Sequence, residues 1–290
     1  MQYKEDYKQI FVPSASLILT DYLPAGEGLI AYNLIKFLAT GQAVFSVCAP
    51  RIRIQNQIKN VNFYEVGHYD FFPAPCEYFY LKNWRLYCEQ VSDLYNSLLK
   101  QNSFDIIHHF LPVNINQSYT PVKDKPFVIG PVFHPWIDLN DDEYSAAEIV
   151  NDDSNFILRK IHNYLKKKWR LENKQKFIDT LEYADKIIVT LDVVKKFLPE
   201  NVQKKIVKIP IGVDTMLFKP VEQLEDNNII LFLAYIVKRK GLDYLLKAVE
   251  IIKRRIPDVK LLIAGDGPDK DYYMKMTNDL HLNETVQFLG

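Results

Sequence analysis

Asn227–Pro268, NNIILFLAYIVKRKGLDYLLKAVEIIKRRIPDVKLLIAGDGP, reads as one strand–helix–strand unit. Ile229–Ile236 is an apolar, β-branched run of the kind that forms a parallel strand buried on both faces. From Gly241 the residues Leu242, Leu245, Leu246, Val249, Ile252 and Ile256 recur at steps of three and four. Asp243, Lys247, Glu250 and Arg254 fall on other faces, so the spacing predicts an amphipathic helix. Pro257 stands just past its end. Lys260–Ala264 is a second apolar run, stopped by Gly265-Asp266-Gly267-Pro268. The helix is expected to cross over a single parallel sheet, which makes the unit α/β.

Ligands of open α/β sheets bind beyond the carboxyl ends of the strands, which directs attention to Tyr235–Gly241 and Gly265–Pro268. The first loop carries Lys238, Arg239 and Lys240. Cations beside the free N–H groups and dipole of a helix N-terminus form a phosphate site. A solvated lysine turn is the other reading of the same residues.

A length of 290 residues sets a prior of about two domains, and 48% apolar residues suffice for packed cores. Lysine plus arginine equals aspartate plus glutamate at 36 each, so bulk charge offers no argument for nucleic acid. Cys48, Cys76 and Cys88 have no metal-ligand spacing, and no metal is expected. The polar opening MQYKEDYKQI is not a secretory segment and no apolar run has membrane-span length. With the odd cysteine count this points to a cytoplasmic protein.

Earlier in the chain, Ser16–Thr20 reads as a strand, Asp21–Gly28 as a turn, Leu29–Ala39 as a buried helix and Ala43–Cys48 as the next strand. Val61–Gly67, Phe104–His109, Lys125–Val132, Asp185–Thr190 and Lys205–Ile209 are further strand candidates, with a long helix over Glu77–Lys100. Residues 155–183 combine many lysines and arginines with interleaved apolar side chains. Such a basic helix suits peripheral contact with an anionic membrane surface, while a charge run of this kind is more commonly a solvated helix face.

The segments KIVKIPIGVDTMLFKP, LFLAYIVKRKGLDYLLKAV and IPDVKLLIAGDGP, in this order, resemble glycosyltransferase family 4, retaining nucleotide-sugar enzymes of GT-B fold. The resemblance implies two Rossmann-like lobes, an acceptor-side lobe over residues 1–220 and a donor lobe over 221–290. It implies transfer of a sugar from a nucleotide-diphosphate sugar to a saccharide or lipid-linked acceptor, in polysaccharide or glycoconjugate biosynthesis, with no bound cofactor. By position in the family's motifs, Gly26 lies in a backbone loop near the donor phosphates, while Tyr235, Lys240 and Gly241 lie at the donor diphosphate. His134, and secondarily His109, lie near the transferred sugar, and the strand Phe104–His109 resembles the family's Asp-x-x-His segment.

Three departures from the pattern stand out. Ala25-Gly26 replaces a Gly-Gly pair, and Ala234-Tyr235 replaces Gly-Arg, exchanging a cation for a neutral phenol. The chain also ends at Gly290, before the family's Glu-x7-Glu motif, so the N-terminal lobe is expected to be complete and the C-terminal lobe partial. A truncated or degenerate non-catalytic relative, acting as a binding or partner subunit, is the alternative reading.

Overall fold

Parallel strands cannot be joined by tight turns, so each crossover must be long and must bury its apolar stripe against the sheet. The computed structural model shows this arrangement twice. It describes residues 8–23, 26–67, 77–111, 118–122, 124–132, 174–220 and 228–290. The chain divides into two compact units, Met1–Gly212 and Val213–Gly290. His134, the acidic stretch 138–153 and residues 155–173 of the basic segment lie outside the described residues.

The first unit contains β1 (Gln9–Pro13), β2 (Ile18–Thr20), α1 (Gly26–Leu38), β3 (Val44–Ala49), β4 (Arg51–Arg53) and β5 (Val61–Glu65). It continues with α2 (Glu77–Leu98), β6 (Ile106–His109), β7 (Phe127–Val132), α3 (174–183), β8 (Lys186–Val189), α4 (Asp192–Lys195) and β9 (Ile206–Lys208). Its sheet has the order β5-β3-β1-β6-β7-β8-β9, with every pairing parallel. The chain runs outward from β1 to β5, then returns to β6 on the other side of β1. That reversal is the topological switch point.

Two cores follow from the reversal. One gathers Ala31, Tyr32 and Ile35 of α1 with Val12 and Val47, and the other gathers Trp84, Tyr87 and Val91 of α2 with Phe177 and Leu181 of α3. The expected strand at Ser16–Thr20 needs correction. The strand of the main sheet is β1, hidden in sequence behind a polar start, and Ile18–Thr20 pairs instead with β4 in a separate two-stranded sheet. Phe11 and Val12, whose side chains point to opposite faces, are both fully buried, as a central strand covered on two sides requires.

The second unit has β10 (Ile229–Leu233), α5 (Leu242–Lys253), β11 (Lys260–Ala264), α6 (Lys270–Asp279) and β12 (Val286–Phe288), paired in parallel in the order β10-β11-β12. Leu242, Leu246 and Val249 of α5 pack with Leu261, Ile263 and Tyr273. Here β10 departs from expectation: it is not buried on both faces. Ile230 and Phe232 pack against the core, whereas Leu231 is 60% and Leu233 76% exposed. Among the described residues β10 is also an edge strand. An exposed apolar face beside an open edge promotes association. Leu231→Lys is therefore expected to shift stability by no more than about 0.5 kcal/mol, since this side chain faces away from the core. Light scattering at high protein concentration should fall, and unchanged scattering would count against the role given to this face.

Candidate functional site

The first constellation lies at the carboxyl end of β10. After Leu233 the backbone passes through Ala234 and Tyr235 to Ile236, which is fully buried and anchors the loop to the core. Lys238–Lys240 then form a single 3₁₀ turn, closed by Lys240 N–H to the Val237 carbonyl at 2.9 Å and Gly241 N–H to the Lys238 carbonyl at 3.0 Å. Gly241 has φ of 72°, in the left-handed region. A Cβ there would meet only the Tyr244 ring at 3.6 Å, so backbone conformation rather than space calls for glycine.

This kink lets α5 start immediately, and no side chain caps its first turn. Its leading N–H groups and dipole point out of the sheet beside exposed Lys238 and Lys240. Among the described residues, no carboxylate forms an ion pair with Lys240. Tyr235 is 60% exposed at the position where the resemblance leads one to look for arginine. The loop therefore offers positive potential and uncapped amides to an anion. It also rests on a partner the sequence reading did not single out: the Lys238 N–H donates to Asp269 Oδ2 at 2.7 Å. Below it lies Tyr273, whose phenol is pushed up by burial and by the nearby carboxylates of Asp243 and Asp269.

The second constellation is the switch point of the first unit. The Phe110 N–H donates to the Pro13 carbonyl at 2.9 Å and the Ala15 N–H to the Phe110 carbonyl at 2.8 Å, so the chain ends of β1 and β6 stay zipped past the strands. His109 is fully buried, with Nδ1 3.0 Å from the Pro13 carbonyl. A carbonyl only accepts, so Nδ1 carries the proton. The Tyr87 hydroxyl donates to the Ser14 carbonyl at 2.7 Å and holds the next residue. His109 is thus a buried, hydrogen-bonded residue at the carboxyl end of β6.

Its neighbour His108 was not among the sequence candidates. Nε2 lies 3.1 Å from the Gly130 carbonyl and therefore donates to it, while the ring sits edge-on to Phe110 with centroids 4.3 Å apart. Burial lowers the His108 pKa to about 3 against the pull of the Gly130 bond, and His109 beside it acts in the same direction. The unfolded imidazole titrates near 6.5. Above that pH both states are neutral and the histidine has no effect on stability. As pH falls from 6.5 toward 3 only the unfolded state gains the proton, so stability is lost at about 1.4 kcal/mol per pH unit. His108→Gln should flatten the decline in Tm between pH 6.5 and 4.5, and an unchanged slope would show that the ring is not held neutral.

Gly26 is the first residue of α1, with no atom within 4 Å of where its Cβ would be. Two residues on, Gly28 is buried, and a Cβ there would lie 1.9 Å from the Ile18 carbonyl oxygen. The close backbone approach, between α1 and β2, therefore occurs at Gly28. Among the described residues no group of three His, Cys, Asp or Glu side chains is placed to hold a metal, and no helix is long and apolar enough to cross a membrane.

Residues 214–290 match the family model described as glycosyl transferases group 1. An uncharacterized glycosyltransferase of Bacillus subtilis, YqgM, is 36% identical over 110 residues, which cover 38% of this chain and 31% of that protein. A GDP-mannose-dependent α-(1-6)-phosphatidylinositol monomannoside mannosyltransferase of Mycolicibacterium smegmatis is 36% identical over 90 residues, covering 28% of this chain and 24% of that one. The chain thus matches less than a third of the length of either relative. Among solved structures, WaaG, a glycosyltransferase involved in lipopolysaccharide biosynthesis, superposes with TM-score 0.58 at 13% identity over 97% of this chain and 69% of WaaG. HepE of Anabaena, crystallised with UDP and glucose, gives TM-score 0.55 at 14% identity over 98% and 69%. The fold is α/β with Rossmann-like lobes of GT-B type, and through residues 214–290 the chain is related in sequence to the glycosyl transferases of group 1.

Proposed function

We propose that this protein transfers a sugar, with retention, from a nucleotide-diphosphate sugar to a saccharide or lipid-linked hydroxyl, and that the β10–α5 loop holds the donor diphosphate. The observation that carries the reading is the loop itself. Lys238, Lys240, left-handed Gly241 and the uncapped start of α5 converge at the carboxyl end of a parallel strand, inside the segment matched by the group 1 model.

The chemistry such a site performs is electrostatic. The bond between the sugar's anomeric carbon and the phosphate oxygen breaks, its electron pair leaves with the nucleoside diphosphate, and the acceptor oxygen bonds to the same carbon. The acceptor proton is taken up by the departing phosphate. Negative charge grows on the diphosphate as the bond breaks, so fixed cations and amides aimed there lower the barrier. Lys240 is given the role of the principal cation, Tyr235 that of a neutral contact, and Gly26, at the start of α1, that of a backbone contact near the donor phosphates. His134, outside the described residues, and His109 are assigned to the neighbourhood of the transferred sugar. A nucleotide-sugar donor, no cofactor, no nucleic acid and a cytoplasmic setting complete the reading. Peripheral membrane contact through 155–183 would bring lipid-linked acceptors within reach.

Amide spectra of the protein titrated with UDP and with GDP test it. Shift changes centred on Lys238–Asp243 are expected, and saturable changes centred elsewhere, or none with either nucleotide, would overturn it.

A further inference from the structure

We propose that Asp269 is a positioning residue for the diphosphate loop, acting through the Lys238 amide and not through the ligand. The proposal rests on the assignment of that loop made above. Lys238 opens the 3₁₀ turn, and its residue N-terminal neighbour Val237 supplies no side-chain cap. The opening amide of such a turn has no partner within the turn. Asp269, 31 residues away, supplies one: its Oδ2 accepts from Lys238 N–H at 2.7 Å. The cap is delivered across the structure.

What brings Asp269 there is a contact between two backbones. The Ile236 N–H donates to the Asp266 carbonyl at 2.8 Å, and the Asp269 N–H reaches the Ile236 carbonyl at 3.4 Å. Between these bonds there is no room for side chains. A Cβ on Gly265 would lie 2.0 Å from the Ala234 carbonyl oxygen, and one on Gly267 would lie 2.2 Å from that of Ile236. The Gly265-Asp266-Gly267-Pro268 turn therefore serves as a seat for the neighbouring loop. The chain then enters α6, where Asp269 immediately precedes the first helical residue and the Tyr273 N–H donates to its carbonyl at 3.1 Å, so the carboxylate stands on a rigid base.

The consequence is pre-organisation. With Lys238 tied down, the turn, Gly241 and the first turn of α5 are held in place before any anion arrives. Without the tie, the anion must order them on binding and part of its affinity is lost. A carboxylate is otherwise an unfavourable neighbour for a diphosphate, since like charges repel. Its place here is explained by the acceptor oxygen, which the amide of asparagine also has.

The experiment uses the full chain with UDP and GDP as probes, comparing Asp269→Ala and Asp269→Asn. Hydrogen exchange at Lys238–Gly241 is expected to accelerate about tenfold or more in the alanine variant and to return toward the wild-type rate in the asparagine variant. Nucleotide affinity should fall roughly three- to tenfold in the first, with Tm nearly unchanged, and be restored or tightened in the second. Tyr273→Phe, which removes a buried hydroxyl that makes no hydrogen bond, controls for damage to α6 and should alter neither readout. Equal loss in both Asp269 variants would mean that charge rather than the acceptor matters, and unchanged exchange in the alanine variant would mean that the tie does not order the loop. Either result overturns the proposal. Should the wild-type chain bind neither nucleotide, the donor-site assignment fails, while exchange alone still decides the role of Asp269.

Discussion

Lys240→Ala is expected to weaken binding of UDP or GDP by about ten- to a hundredfold. A hydrogen bond to a charged group contributes roughly 1.5–3 kcal/mol, and about 1.4 kcal/mol corresponds to a factor of ten. Lys240 is exposed, so the loss should sit toward the lower end and shrink further as salt screens the contact. The reverse change is available at Tyr235. With 60% of its surface free, Tyr235→Arg brings in a guanidinium at no packing cost and should tighten nucleoside-diphosphate binding while acceptor preference is unchanged. Lys238 limits the contrast because it lies in the same turn and can share the phosphate. Calorimetry on both variants checks the pair, and affinities equal to wild type in both would remove the loop from the donor site.

The second large effect concerns stability. Gly28→Ala places a methyl group 1.9 Å from the Ile18 carbonyl oxygen, 3.1 Å from the carbonyl carbon and 3.3 Å from Thr20 Cγ2. Two of these neighbours are backbone atoms of β2, which pairs with β4 and cannot yield without losing that register. Forcing α1 away from β2 should cost about 2–4 kcal/mol. Gly26→Ala, two residues earlier, meets nothing within 4 Å and lies in the same helix, so it should be neutral or stabilising by up to about 1 kcal/mol. Urea denaturation of both variants separates them by midpoint. Matching midpoints would show that α1 does not lie as close to β2 as the structure has it.

Periodicity was enough to read most elements. The steps of three and four from Leu242 to Val249 placed α5, and the runs at Lys260–Ala264, Val61–Gly67 and Asp185–Thr190 marked β11, β5 and β8 within a residue or two. Parallel strands and helices are built from local patterns, and the basic turn before Gly241 is local as well, so the candidate donor loop was legible along the chain. Lateral relations were not. An apolar run does not state how many faces of its strand will be covered, so β10 reads as doubly buried although one face is exposed, and β1, with its polar approach, does not stand out as a strand. A glycine in a turn does not reveal what its missing Cβ would strike. Gly26 and Gly28 look alike in sequence, and only the packing of α1 on β2 sets them apart. The bond from the Lys238 amide to Asp269 joins residues 31 apart, and no spacing rule announces it. By itself the sequence determined the α/β class, the crossover units and the cationic loop, because these depend on neighbours within a turn or a strand. The tertiary structure decided the switch point between β1 and β6, the neutral His108 and the seat beneath the loop, because each of these depends on which backbones meet.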